Sequence, residues 1–310
     1  MNNNGSDNYI QINLIGGLGN QLFQVAYAKA LSVKYGLPMV VNESAYETYK
    51  IRSYSLNNIK ISETFVSNYS ISKKRTIYRK LYRIYQKILK LIGVGNYGKL
   101  FIDTFAKRGY IYNFDDYFYE IDINSDAKIL DLYGYFQSEK YFEEFRGIIK
   151  KELKVNQEPT NCEQYYLDLI SKHPNNVAIS MRLGSDYTKS KMFNVCTTNY
   201  YIESIKLAKS TLGNDLFLVF SDDIERAKSI LDGLDDTKDE RVIFVEGLRD
   251  YQSLRVMYSC SNFIISNSSF AWWGAYLSDN EKKIIISPSR WYNSNRKPPD
   301  ILLDSFINVD

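Results

Sequence analysis

The chain has 310 residues, 45% hydrophobic and 24% charged, a globular composition that excludes overall disorder and accommodates one large domain or two ordinary ones. A formal net charge of +3 is too small to indicate nucleic acid by itself. No apolar run approaches the roughly 20 residues that cross a bilayer, so a soluble or peripheral protein is expected.

The opening MNNNGSDNY is polar and lacks the apolar core of a secretory leader. Tyr9 to Ile15 then reads as a strand, Gly16-Gly17-Leu18-Gly19 as a tight turn, and Asn20 to Lys34 as a helix ended by Gly36 and Pro38. A second strand starts over Pro38 to Val41, giving a βαβ opening and hence an α/β fold. A dinucleotide fingerprint starting at Gly17 needs glycine at position 22, where Leu22 stands. The turn still permits a ligand to approach the backbone in front of a helix N-terminus. A plain strand-to-helix turn explains the same glycines.

The middle of the chain is less regular. Lys73 to Lys90 carries eight basic residues and no acidic one. Ile77, Leu81, Ile84, Ile88 and Leu91 recur along it at helical spacing, which predicts an amphipathic helix, a basic insertion over about residues 73–92. Two readings stand: the tyrosines and leucines pack inward beneath solvated lysines, or the helix docks on anionic lipid. Asp131 to Lys150 reads as a short strand, the segment YFQSEKYF and a helix. Val155 to Asn161 is the best linker candidate, placing an N-terminal domain at 1–158 and a C-terminal one at 159–310.

The second half alternates cleanly. Strands are expected at Val177 to Met181, Leu216 to Phe220, Val242 to Val245, Phe263 to Ile265 and Lys283 to Ile286, with helices between them, the pattern of a parallel sheet covered on both faces. Cys162, Cys196 and Cys260 have neither CxxC nor CxH spacing, which favours a reducing cytoplasm over zinc or disulfides.

Three strand-end motifs carry phosphate-friendly chemistry. ISMRLGSDY places Arg182 at the carboxyl end of a strand, where ligands of open α/β sheets bind, and guanidinium is shaped for a diphosphate. An Arg182–Asp186 surface pair is the plainer reading. LVFSDD sets Asp222 and Asp223 after the next strand, as a metal-binding pair, as acceptors for a nucleoside, or with Ser221 or Asp222 as the helix cap. IISNSSFAWWGA ends a strand in Asn267, Ser268 and Ser269 and begins a helix, whose N-terminus offers hydroxyl and backbone donors. Trp272 and Trp273 read as core packing, with Gly274 allowing close helix approach. Together the three indicate a nucleotide site.

GGLGNQLFQVAYAKAL, YGYFQSEKYF, RLGSDY, VFSDD and NSSFAWWGA together resemble the bacterial α-1,2-fucosyltransferases, glycosyltransferase family 11, from about residue 10 to residue 290. The match is loose over about residues 45–125. The resemblance implies a GT-B type fold, two Rossmann-like domains facing a central cleft, the first on the acceptor side. It also implies GDP-fucose as donor, a galactose-containing glycan as acceptor, inversion at the anomeric carbon, and no metal or other cofactor. Arg182 would hold the β-phosphate, Asp222 or Asp223 the guanosine, and Ser268, Ser269 and Phe270 the phosphates. Gly17, Gly19 and Asn20 would line the cleft and, with Asn267, belong to the donor-binding set.

One departure is Ser180, where the family often has histidine; the single histidine, His173, lies in a KHPNN turn. A general base for the acceptor hydroxyl therefore falls to a carboxylate, with Asp186 beside the donor motif and Glu43 in the first domain as candidates. A lipid-linked acceptor in O-antigen synthesis would place the enzyme in the cytoplasm, at the inner face of the membrane, with a peripheral contact to anionic lipid and none to nucleic acid.

Overall fold

The computed structural model describes residues 8–48, 53–61, 64–66, 73–92, 98–123, 129–213, 216–232, 242–294 and 298–310. The chain forms two compact units, the first Met1–Asn57 with Ile61–Glu152, the second Asn58–Lys60 with Leu153–Asp310. The short excursion at 58–60 belongs with the second unit because Ile59 bridges Val155, inside the segment expected as a linker, and Lys60 N–H donates to Lys154 O at 2.9 Å.

Unit 1 contains β1 (Tyr9–Asn13), α1 (Leu18–Tyr35), β2 (Met39–Asn42), β3 (Thr64–Val66), α2 (Lys73–Ile92), α3 (Gly98–Ala106), β4 (Tyr110–Asn113), β5 (Ile129–Gly134) and α4 (Arg146–Glu152). Its strands are all parallel, in the order β3-β2-β1-β5-β4. Most of α1 is buried, including Gln21 and Gln24 among its apolar residues. It stops at Gly36, whose φ of 63° closes the helix end with an N–H bond to Ser32 O.

The period of two along β1 and β5 divides their side chains between the sheet's faces. Ile10, Ile12, Leu130 and Leu132 make one face apolar, while Gln11, Asn13 and Asp131 lie buried on the other. Covering that polar face, α2 turns Arg75, Arg79 and Tyr82 inward. Arg75 Nη1 donates to Gln11 Oε1 at 2.7 Å and its Nε lies 3.7 Å from Asp131 Oδ1. Arg79 stacks over the Tyr133 ring at 4.4 Å. Tyr112 donates to Asp131 Oδ2 at 2.9 Å, and burial and this carboxylate push its phenol up, so it stays protonated. Asp131 also accepts from Asn13 Nδ2 at 2.9 Å.

Of the two readings of this helix, the one that packs its leucines inward is corrected at Leu81 and Leu91, while its inward tyrosine holds at Tyr82. Ile77, Leu81, Ile84, Ile88 and Leu91 are all exposed, because a polar sheet face selects the arginine and tyrosine side of the helix.

Unit 2 contains α5 (Asn161–Lys172), β6 (Val177–Met181), α6 (Ser185–Thr188), α7 (Thr198–Leu212), β7 (Phe217–Ser221), α8 (Ile224–Asp232), β8 (Val242–Phe244), α9 (Asp250–Tyr258), β9 (Asn262–Ile264), α10 (Ser269–Leu277), β10 (Ile285–Pro288) and β11 (Ile307–Val309). These strands too are all parallel, ordered β11-β10-β9-β6-β7-β8. β6, β9 and β10 are buried throughout, matching the continuous apolar runs of the sequence. Thr160 and Glu163 form a reciprocal capping box that starts α5. Gly274 brings α10 against α9: a Cβ there would sit 2.2 Å from Met257 Sδ. Trp272 and Trp273 are fully buried, so the paired tryptophans are core residues as expected.

Candidate functional site

In unit 2 the chain leaves β6 in one direction for β7 and β8, and in the other for β9, β10 and β11. That reversal lies between β6 and β9, and its carboxyl edge is the place where open α/β sheets bind ligands. The three predicted motifs converge there. Arg182 follows β6, Asp222 and Asp223 follow β7, and Ser268 to Phe270 open α10 after β9, on three adjacent strands. The hydroxyls of Ser180 and Ser266 lie 3.3 Å apart in this region, so the position where the family often has histidine is a small buried hydroxyl.

Arg182 is the centre of the cluster. Its Nη1 pairs with Asp222 Oδ2 at 2.7 Å and its Nη2 with Asp186 Oδ2 at 2.8 Å. The Arg182–Asp186 pair of the plainer reading is thus real, and it shares the guanidinium with Asp222. The other Asp222 oxygen, Oδ1, accepts from the N–H groups of Leu183 at 2.7 Å and Gly184 at 3.0 Å. One carboxylate therefore fixes both the cation and the loop that carries it. A Cβ at Gly184 would lie 2.6 Å from Asp222 Oδ2 and 2.9 Å from Asp186 Oδ1, so glycine is the residue that lets both acids approach. The side chains of Arg182 and Asp222 are 26% and 27% exposed, dry enough to be held and open enough to meet a ligand.

The sequence left three readings for the aspartate pair, and the geometry separates the two residues. Asp223 caps α8, accepting from Arg226 N–H at 3.1 Å, while its own N–H donates to Ser221 Oγ at 3.0 Å. The cap is thus Asp223, correcting the choice of Ser221 or Asp222. The two carboxylates serve different partners, and among the described residues no group of three or more His, Cys, Asp or Glu is arranged to hold a metal.

At the end of β9, Asn267 is buried and committed to structure. Its Nδ2 donates to Phe193 O at 3.0 Å and Trp291 O at 2.8 Å, tying two loops to the strand end. Cys196 donates to Asn267 Oδ1 at 3.4 Å, and burial pushes this thiol up to about 12. Ser268, Ser269 and Phe270 are half-buried at the start of α10, where a helix carries a partial positive charge, and Ser268 N–H donates to Ser266 O at 2.7 Å. The helix terminus brings partial positive charge to this edge, and the Arg182 guanidinium beside it is shared between Asp222 and Asp186.

In unit 1 the corresponding reversal lies between β1 and β5. The glycine turn follows β1: Gly16 has a φ of 82°, and Gly17 is the N-cap of α1. Gly19 is buried in the first turn of α1, and Asn20 is half-buried beside it. The two glutamines of the GNQLFQ segment brace this turn. Gln24 exchanges bonds with Ile15 N–H and O, and Gln21 donates to Gly16 O at 3.0 Å. Sequence reasoning gave these residues no role.

It also missed Gln137, which donates to Asn20 Oδ1 at 2.7 Å, and Phe136, whose φ of 52° is rare for an aromatic residue. Tyr27 and Tyr141 hold the Phe136 ring at 4.8 and 5.6 Å. The signal available in advance was the YFQSEKYF segment directly after a strand. Glu43 starts a short 3-10 turn after β2 and is half-buried. His173 ends α5, with Nδ1 2.8 Å from Leu169 O, a local structural contact.

The profile of glycosyl transferase family 11 matches residues 9–306, nearly the whole chain. The chain belongs to glycosyl transferase family 11. Among its curated relatives this family 11 chain is 31% identical to an alpha-1,2-colitosyltransferase of Escherichia coli, over 90% of this chain and 91% of that protein. It is 27% identical to the O-antigen biosynthesis glycosyltransferase WbnK of Escherichia coli, over 96% and 99% of the two lengths.

Solved structures extend the likeness in fold. The family 11 chain superposes on NodZ alpha-1,6-fucosyltransferase soaked with GDP-fucose with a TM-score of 0.50 at 12% identity, covering 91% of this chain and 95% of that one. It superposes on a mutant of Arabidopsis thaliana FUT1 in complex with GDP with a TM-score of 0.50 at 11% identity, over 94% and 73%. Its two parallel α/β units are those of the GT-B class, as the sequence implied.

Proposed function

We propose that this glycosyltransferase moves L-fucose from GDP-β-L-fucose to a galactoside hydroxyl in α-1,2 linkage, with inversion and without a metal. The observation that carries the reading is the convergence of Arg182, Asp222 and the start of α10 on adjacent strand ends at the reversal of the unit 2 sheet. Such a site suits a nucleoside diphosphate: the guanidinium and the helix N-terminus meet phosphate oxygens, and a carboxylate beside them accepts from a base.

Inversion needs the acceptor oxygen to attack the anomeric carbon opposite the departing diphosphate. Negative charge then grows on GDP as the C–O bond to phosphate lengthens, and fixed donors stabilise it most where it develops. Arg182 takes the β-phosphate, with Ser268, Ser269 and Phe270 presenting hydroxyl and backbone groups to the same charge, and Asp222 meets the guanosine side. Asp186 is assigned as the base that accepts the acceptor's proton. Its ion pair with Arg182 is exchanged when that guanidinium turns to the diphosphate. Gly17, Gly19 and Asn20 are assigned to donor binding, and the acceptor falls to unit 1, with Gln137 holding Asn20 in place.

The WbnK relative supports a surface-glycan acceptor, as in O-antigen synthesis, and the proposal adds that this acceptor is carried on lipid at the inner face of the membrane. The colitosyltransferase relative favours a second donor reading. Colitose is L-fucose without its 3-hydroxyl, and a site built to bond that hydroxyl rejects the deoxy sugar by about 10⁴-fold or more.

The test is GDP release in EDTA from GDP-fucose and from the matching colitose donor, with and without galactosides such as lactose. Galactoside-stimulated release from GDP-fucose, with an α-1,2 product by NMR, is the expected result. Preference for the colitose donor supports the second reading. Loss of release in EDTA overturns metal independence, and failure to bind GDP overturns the site.

A further inference from the structure

We propose that α2 is an in-plane membrane anchor that seats this protein on anionic lipid through the helix face turned away from its own sheet. Burial divides the helix sharply. Arg75 and Tyr82 are buried against the sheet, whereas Ile77, Leu81, Ile84, Ile88 and Leu91 are 55%, 46%, 54%, 45% and 86% exposed. At about 100° per residue these five fall on one stripe opposite the buried side, roughly 21 Å long. A contiguous exposed row of large aliphatic side chains marks an interaction surface rather than ordinary surface scatter.

Charge identifies the occupant. Lys80, Arg83 and Lys87 are exposed and run along one flank of the stripe, and no acidic residue occurs between Lys73 and Ile92. An apolar face edged with Lys and Arg is the signature of a helix lying in the headgroup region, its aliphatic side chains about 5–10 Å deep and its cations on anionic headgroups. A second copy of the same helix would set these cations against one another. Among the described residues no helix is long and apolar enough to cross a membrane, so the contact is peripheral.

The inverted packing gives independent support. Two arginines point inward to Asp131 while five aliphatic residues point outward, an arrangement that wastes apolar surface unless something else covers it. The inference stands on α2 alone and holds whichever sugar is transferred.

The experiment is flotation of the full chain with phosphatidylcholine vesicles, with and without about one third phosphatidylglycerol, alongside analytical ultracentrifugation. Binding is expected only to anionic vesicles. It should weaken on the order of a hundredfold in the triple variant Lys80→Gln, Arg83→Gln, Lys87→Gln, and be lost in Leu81→Glu, Ile84→Glu, Ile88→Glu. Unchanged near-ultraviolet circular dichroism and melting temperature should accompany both, since the altered side chains are exposed. Equal binding to neutral vesicles, binding that survives the glutamate variant, or no binding at all overturns the proposal. So does a dimer that the glutamate variant dissociates, because the stripe then covers a second copy.

Discussion

The molecule holds two arginine–aspartate clusters that look alike in composition and differ in everything else. In unit 1, Arg75 and Arg79 meet Asp131 in the middle of the sheet, with side chains only 4%, 15% and 1% exposed. In unit 2, Arg182 meets Asp222 and Asp186 beyond the strand ends, where the guanidinium is 26% exposed. The first cluster replaces a hydrophobic layer between helix and sheet. The second sits beyond the strand ends, the edge at which open α/β sheets take up ligands, and is held by a loop that its own carboxylate braces. Under the proposed function, position along the strand separates structural charge from working charge.

The strongest way to break this comparison is at Asp131. Asp131→Ala leaves two arginines and Tyr112 facing one another in a buried layer, and breaking a buried pair on one side costs about 3–5 kcal/mol. Chemical denaturation should show that loss in unit 1. Wild-type stability would dissolve the distinction between the clusters. Arg182→Ala should do the reverse: a turnover loss of more than a hundredfold, about 2.7 kcal/mol of transition-state stabilisation, in a chain whose melting temperature barely moves. Steady-state GDP release beside thermal unfolding measures both halves.

A smaller effect sharpens the helix packing beneath the unit 2 site. Gly274→Ala drives a methyl into Met257 at the contact of α9 and α10, and overpacking of this kind costs about 1–3 kcal/mol. A denaturant titration showing no destabilisation would mean that Met257 swings aside.

How legible this was depended on sequence distance. The strand-end motifs were readable because a strand, its final residue and the next helix cap lie within a few positions of one another. Arg182, the Asp222-Asp223 pair and Ser268 were found this way, and β6 matched over Val177–Met181. Partners far apart in sequence were not readable. Nothing near Asn267 indicated that its amide would be spent on Phe193 and Trp291, or that Asp222 would bind the loop at Leu183 and Gly184.

The same limit hid the inverted face of α2. Periodicity showed that the helix has two faces, but not that the sheet it meets presents Gln11, Asn13 and Asp131. β3, β4 and β11 escaped although β2, β8, β9 and β10 are as short, because they lie outside the regular strand–helix alternation in which those were read, and α3 lies where the sequence looked irregular.

Asp222 and Asp223 bring the comparison down to two adjacent residues. Asp223 satisfies a first-turn N–H of α8, and replacing such a cap by alanine costs about 1 kcal/mol. Asp223→Ala should therefore lower the melting temperature slightly and leave donor affinity intact. Asp223→Asn should recover most of the stability, because an amide oxygen accepts the same bond from Arg226 N–H. Asp222→Asn should show the opposite pattern, weakening GDP binding and loosening Arg182, since an amide cannot offer charge to the guanidinium while accepting from Leu183 and Gly184. Thermal unfolding paired with GDP titration calorimetry on the three variants decides it. If Asp223→Ala loses GDP and Asp222→Asn keeps it, the two carboxylates have been assigned the wrong way round.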